Sequence, residues 1–417
     1  MAKLAAYWLF PGLVIASTLG NQPFVVAMIL GQVVALMCDV AAVVILLRAF
    51  RRPGWVLVVV TCVLVAKGLR LVSGSGSAEI AYIVLLNALF CASGAIVGFQ
   101  RPRLLYKQVM TICLVSLFFM VFQVTGVGAW TQLLASYGEG NLTQPVPTLF
   151  VPESRLEYLL VQGRPAGIIY SNVVLSLIIM FAFALHFSRR TRTSVWGTAL
   201  LCCVAVLAMA KIAFVGFLVT GMLVLVLGDR RQRRRIVAAT GLFVVFFGLY
   251  AVLFPGLFAT NVSIDTIQAS VFYRANDIMA ALNPNIDFRF LRMAYFADTP
   301  HLYDLEEGQF VSGYATLVAI GYRNLAAIAA AFVVGVGAFL IGLRRLERKF
   351  PERVLGVVLV VSVVALFPAT HPIWPSPLYW FMAGLAGLPL IQFLKPRLMV
   401  RARSAAGMNA HRGVSIA

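Results

Sequence analysis

Residues 161–187 read VQGRPAGIIYSNVVLSLIIMFAFALHF, a short polar stretch that runs straight into an apolar segment with no lysine, arginine, aspartate or glutamate after Arg164. The apolar part approaches the roughly 20 residues a helix needs to cross a bilayer. Its entry carries chemistry of its own. Pro165 suits a first helical position, where its fixed φ fits and its missing N–H would have had no intrahelical partner. Gly163 and Gly167 leave that end sterically open, and Arg164 stands at the membrane edge. A helix start with free N–H groups, a positive dipole end and an adjacent guanidinium is a site for an anion such as a phosphate. An interfacial arginine that only anchors a membrane helix is the other reading of the same residues.

The rest of the chain repeats the apolar theme. Of 417 residues, 61% are hydrophobic and 12% charged, and the mean hydropathy is +0.92. Continuous apolar runs of this kind point to an all-α integral membrane protein, because a membrane barrel would show alternating strands of about ten residues instead. All six cysteines (Cys38, Cys62, Cys91, Cys113, Cys202 and Cys203) fall inside the apolar runs, so they read as small core residues and suggest neither disulfides nor a metal cluster. No cofactor or metal is expected, since no Asp-x-Asp motif or His/Cys cluster is present.

Twelve spans are expected, near 4–19, 23–48, 54–66, 78–98, 105–127, 166–187, 194–210, 212–228, 236–256, 322–342, 354–369 and 377–394. The connections after the even-numbered spans up to the tenth, together with Lys3 and the tail, carry 25 of the 34 lysines and arginines. By the positive-inside rule that side is cytoplasmic and holds both termini, so the location expected is the bacterial inner membrane. Residues 1–394 then form one polytopic domain and 395–417 a basic cytoplasmic tail. The net charge of +19 reports topology and contact with anionic membrane lipids, and not nucleic acid. The first span reads as uncleaved, because no small-x-small cleavage site precedes Asn21.

Function is to be sought on the other side. Two long segments lie there, 128–165 and 257–321, and long loops in a compact protein are usually functional or disordered. Their prolines and aromatic residues favour order. Eleven of the fifteen acids fall on this side beside Arg155, Arg164, Arg274, Arg289 and Arg292, which is either a charged-substrate site or a solvated surface with ordinary ion pairs. Within the spans the charged residues are chiefly Asp39 and Lys211, and ionisable groups there are functional suspects. The run 194–228 has basic flanks at both ends, so it folds as a hairpin whose outer turn lies near Ala208–Ile212, with Lys211 at the tip. That lysine either snorkels to the interface or points into the same cavity as Arg164. Asp39 reads equally as a packing feature or as function.

The order of these features resembles the O-antigen polymerase and O-antigen ligase superfamily of bacterial membrane glycosyltransferases: an Arg-x-x-Gly entry into a span, two spans joined by a tight outer turn bearing a basic residue, then a large periplasmic loop. Arg164, Gly167, Ser171 and Asn172 match the first element. The tight turn, usually Ser-Arg, is Ala210-Lys211 here, which keeps the charge and loses the bidentate fork. Arg289, Gly308 and Gly321 fit the spacing of the large loop, with Arg292 and Arg274 as substitutes for Arg289.

The resemblance implies a polyprenyl-diphosphate-linked glycan donor and a glycan acceptor, with a chain-length regulator protein as a further partner. Arg164, Lys211 and Arg289 would hold the diphosphate and stabilise charge as it leaves. A carboxylate or histidine would deprotonate the attacking hydroxyl; Glu307, Glu306, His301 and Asp304 are candidates, with His301 as a plain loop histidine the competing reading. His371 sits at an aromatic, proline-rich outer turn, and His186 at a cytoplasmic helix end with no chemical role expected. Ligases of the family carry a histidine at the start of the helix after the large loop, where this chain has Gln309-Phe310-Val311-Ser312, so polymerase is the first expectation and ligase the alternative. A lipid-linked glycan flippase or other transporter is the more distant one. It should show midplane charge and broken helices, whereas the polar chemistry here gathers in the outer loops.

Overall fold

A computed structural model of the chain describes residues 2–20, 25–49, 76–125, 167–169, 172–188, 194–255, 258, 351–369 and 376–386. All secondary structure among these residues is helical. In chain order the helices are α1 (Ala2–Gly20), α2 (Val25–Ala49), α3 (Gly76–Gln100), α4 (Pro102–Thr125), α5 (Asn172–Ser188), α6 (Val195–Ala208), α7 (Lys211–Leu227), α8 (Arg230–Leu253), α9 (Pro351–Leu359) and α10 (Pro377–Ala386). Among the described residues, three stretches are long and apolar enough to cross a membrane: Ile29–Arg48 in α2, Pro102–Val121 in α4, and Arg230–Leu253. Shorter apolar helices accompany them, including Val174–Ser188, Val195–Ala208 and Lys211–Leu227. The spans expected at 54–66 and 322–342, the segment 128–165, the segment 257–321 apart from Phe258, and the tail 395–417 lie outside the described residues.

The bundle is centred on α5. Every residue from 175 to 188 is buried, with α4, α6, α7, α8 and α9 packed around it. A helix apolar on all sides belongs in such a centre. The outer helices show the reverse arrangement to a soluble protein, with Ile29, Leu36, Phe118, Val237, Val244 and Val252 each at least half exposed. Lipid tails are as apolar as these side chains, so close packing and internal hydrogen bonds hold the helices together and the hydrophobic effect between them adds little. The crossing of α3 and α10 shows how close: a Cβ on Gly94 would fall onto the carbonyl of Phe381, and one on Gly384 onto that of Cys91.

Local chemistry sets the helix boundaries. Ser194 caps α6, accepting from the Gly197 N–H at 3.0 Å. Asp229 caps α8 in a reciprocal box: its carboxylate accepts from the Arg231 and Gln232 N–H groups at 3.0 and 2.9 Å, and the Gln232 side chain accepts from the Asp229 N–H at 2.8 Å. Each satisfies donors that a helix start leaves without intrahelical partners. Gln232 also donates to the Ser188 carbonyl at 2.6 Å, which ties the start of α8 to the end of α5.

Two expected helices form differently. No single helix runs from 166 to 187 with Pro165 at its first position. Gly167–Ile169 make one 3-10 turn and the α-helix begins only at Asn172. Gly167 has φ +63, a left-handed conformation through which an α-helix cannot continue and which glycine adopts without strain. A Cβ there would also stand 3.0 Å from the Ser116 Cβ and carbonyl oxygen, so this turn lies close against α4. The span expected at 354–369 is likewise broken: α9 gives way to a π-helix at Val360–Ala365, followed by a 3-10 turn at Phe367–Ala369. Pro368 accounts for where the run ends. It has no N–H to give the carbonyl four residues earlier, and that carbonyl, on Val364, accepts instead from the Tyr379 hydroxyl at 2.9 Å. Ser362 donates to the Val358 carbonyl within the same turn.

Candidate functional site

The turn between α6 and α7 takes two residues. Met209 has φ 46 and ψ 30, a left-handed cap whose N–H bonds the Val206 carbonyl, and Ala210 is extended at φ -83 and ψ 105. Lys211 is therefore the first residue of α7, as the hairpin reading predicts, and it is half-buried. Ala210 has no side chain that can cap the helix. The α7 start thus joins a positive dipole end to an ammonium in a tight turn. Its surroundings are apolar: Met209, Ala210 and Ile212 are all buried, and Val206 and Met209 pack on Tyr250 of α8 with Phe254 and Phe258 at the rim.

Tyr250 is the residue sequence reasoning missed at this end. Its ring is 3% exposed, and its hydroxyl has no hydrogen-bond partner among the described residues, although buried hydroxyls almost always find one. A tyrosine late in an apolar helix reads from sequence as an aromatic belt residue, so no local signal distinguished it.

Helix directions place the Gly167 turn at the same end as Lys211. His186, near the end of α5, contacts Tyr106, near the start of α4, and Thr198, near the start of α6; its Nδ1 lies 2.9 Å from the Tyr106 hydroxyl and its Nε2 3.0 Å from the Thr198 hydroxyl. With the Gln232–Ser188 bond, these contacts gather the starts of α4, α6 and α8 and the end of α5 at one end of the bundle. The opposite end then holds the start of α5, the end of α6 and the start of α7. Gly167 and Lys211 belong to that end.

His186 is fully buried and stacks on Tyr106 with ring centroids 6.0 Å apart. It joins three helices. Asp39 is half-buried on α2, which packs mainly on α1 and α3, beside Cys38, whose sulfur faces Gly12 of α1. It stands apart from the helices that form the Lys211 turn. Cys38, Cys113 and Cys202 are buried and Cys91 and Cys203 half-buried, all as free thiols. Among the described residues, no group of three or more His, Cys, Asp or Glu side chains converges to hold a metal.

Of the expected diphosphate-binding cations, Lys211 is described; Arg164, Arg289, Arg292 and Arg274 lie outside the described residues. The same holds for Glu307, Glu306, His301, Asp304 and His371. What the described geometry offers is a helix start with a half-buried ammonium, an apolar floor and an unpaired buried hydroxyl on that floor, at the end of the bundle where the chain enters α5. Set against protein-family models, curated proteins and solved structures, the chain finds no match.

Proposed function

We propose that this protein joins polyprenyl-diphosphate-linked oligosaccharide repeat units into a surface polysaccharide at the periplasmic face of a bacterial inner membrane. The reading takes the chain as a twelve-span protein with cytoplasmic termini, in which the Lys211 end faces the periplasm. The observation that carries it is the two-residue turn with Lys211 as the first residue of α7, at the same end of the bundle as Gly167, three residues beyond Arg164. That pairing follows the order of elements on which the resemblance to O-antigen polymerases and ligases rests.

In the reaction, a hydroxyl of the acceptor glycan attacks the anomeric carbon of the donor. The new glycosidic C–O bond forms as the C–O bond to the diphosphate breaks, and polyprenyl diphosphate leaves with the electron pair. Arg164, Lys211 and Arg289 hold the diphosphate and stabilise the negative charge that grows on it, with Arg292 and Arg274 as further cations. Preorganised charge aimed at a leaving group is the largest catalytic contribution available without a metal or a covalent intermediate. Glu307, Glu306 or His301 takes the hydroxyl proton.

The test uses cells lacking the native gene and complemented with variants at matched protein levels, with surface glycan length and amount as the readout. A charge-assisted bond contributes about 1.5–3 kcal/mol, so Lys211→Ala, Arg164→Ala and Arg289→Ala should each lower polymerisation by roughly one to two orders of magnitude. Lys211→Arg should be tolerated. Arg289→Lys should recover only part, because a point charge cannot reproduce bidentate phosphate recognition. Single repeats on the lipid A–core in the deletion strain support a polymerase, and lipid-linked polymer stranded away from the core would replace it with a ligase. Near-normal polymer from Arg164→Ala and Arg289→Ala together would overturn the clamp.

A further inference from the structure

The end of the bundle opposite Lys211 carries a second concentration of charge. Hydrogen bonds through His186 and Gln232 gather the starts of α4, α6 and α8 there, and α6 packs against both α4 and α8. Half-buried Arg235 closes the group, lying near Asp229 on its own helix and near Tyr106 on α4. Residues 101–107 and 229–235 contribute eight arginines and lysines and one acid, Asp229. That carboxylate is already engaged by the two N–H groups of the α8 cap.

Some of the cations are also committed. Arg233 folds back to the Gly228 and Val226 carbonyls at 3.1 and 3.3 Å, neutralising the end of α7, and Arg101 lies over the Tyr7 ring at 5.0 Å from its centroid. Arg103, Lys107, Arg230, Arg231 and Arg234 are exposed. Beside them Trp196, the second residue of α6, is 85% exposed. Several guanidiniums within one helical turn repel each other, and an uncovered indole at a helix end is the residue that settles at the headgroup level of a bilayer.

We propose that this end of the bundle is a binding site for an anionic phospholipid. The headgroup phosphate lies among Arg230, Arg231 and Arg234, Trp196 packs at the glycerol level, and the acyl chains follow the outward apolar faces of α4 and α8, where Leu114 and Val237 are exposed. Charge alone would equally admit a free phosphate or a nucleic acid. The exposed tryptophan and the apolar faces continuing from the patch fit an amphiphile with two chains. The inference stands independently of the glycan reading.

The test places full-length protein in vesicles of phosphatidylcholine and phosphatidylglycerol of one fixed composition, with bromine high on the acyl chains of either the anionic or the zwitterionic lipid. Bromine quenches nearby tryptophan, and the part of the quenching lost in Trp196→Phe isolates this site. Each basic residue near an anionic surface gives about a fivefold preference, so the anionic brominated lipid should quench Trp196 at least about fivefold more per molecule. The combined change Arg230→Gln, Arg231→Gln and Arg234→Gln should bring the ratio to about one, and the same three positions as lysine should keep most of it, the charge being the shared requirement. Equal quenching of the unsubstituted protein by the two lipids would overturn the proposal whatever the variants do. Loss of the preference in millimolar inorganic phosphate would overturn it in favour of a free-phosphate site.

Discussion

Tyr379→Phe tests whether one hydroxyl stands in for a backbone donor that proline removed. Pro368 cannot donate to the Val364 carbonyl, and the Tyr379 hydroxyl donates to it at 2.9 Å across a link of fifteen residues. Removing the hydroxyl costs a bond and leaves an acceptor short of a donor in a place where lipid supplies none. An unsatisfied buried group costs about 1–3 kcal/mol; Val364 is half-buried, so the lower half of that range, about 1–2 kcal/mol, is expected. Pro368→Ala supplies the missing N–H and should rescue Tyr379→Phe. By itself Pro368→Ala also frees the unfolded chain, at a cost of roughly 0.4–1 kcal/mol, and a double-mutant cycle cancels that contribution because it enters both backgrounds equally. The measurement is an SDS titration of detergent-solubilised protein followed by circular dichroism, with all four members of the cycle compared. A coupling of about 1 kcal/mol in the rescuing direction is expected. Additive substitutions, within about 0.3 kcal/mol, would refute the idea that Tyr379 replaces the proline's absent donor.

Three further outcomes follow from the packing. His186→Phe removes both hydrogen bonds that link α4, α5 and α6 and should lower the SDS midpoint by the equivalent of about 2 kcal/mol, whereas adding Tyr106→Phe and Thr198→Val should restore part of the loss, since a matched apolar set leaves no hydroxyl short of a partner; a triple variant weaker than the single one would contradict this. Gly94→Ala presses a methyl group onto the Phe381 backbone, which cannot swing aside, so about 1–3 kcal/mol of destabilisation is expected in the same titration, and a neutral result would mean α3 and α10 can move apart freely. Tyr250→Phe deletes a buried hydroxyl that has no partner among the described residues and should raise stability by about 1 kcal/mol; a lowered midpoint would reveal a bond to that hydroxyl.

The bundle was legible in the sequence where physics is local. Apolar run length placed α1 to α4, α6 and α7 within about three residues, whereas α5 begins six residues after the expected start at 166 and α8 six residues before the expected start at 236; basic flanks at 189–192 and 229–235 forced the α6–α7 hairpin with Lys211 at its turn. The capping box of α8 is likewise a short-range pattern, Asp229 followed three residues later by Gln232. The breaks were harder to read. Gly167 could be seen as permissive, but its left-handed φ depends on close approach to Ser116, about fifty residues earlier. The run 354–369 read as one unbroken span, and the break near Pro368 is completed by Tyr379 reaching across to Val364.

The same distinction separates the two ends of the molecule. Charge at the α8 start is a local count that any reading finds; what sequence does not carry is that His186, Tyr106 and Thr198, spread over 92 positions, tie that charge to the starts of α4 and α6. At the opposite end the basic residue of the turn was visible, while the apolar floor beneath it, with Tyr250 placed against Met209, follows only from how α8 packs on α6. Both ends therefore use one device: short-range signals start and stop helices, and a few long-range polar contacts fix which starts are neighbours. Because a bilayer offers no water to replace such contacts, each is held by the bundle itself. A substitution at His186 should consequently disturb the Lys211 turn through the tilt of α5 and α6, although the two lie at opposite ends of the bundle.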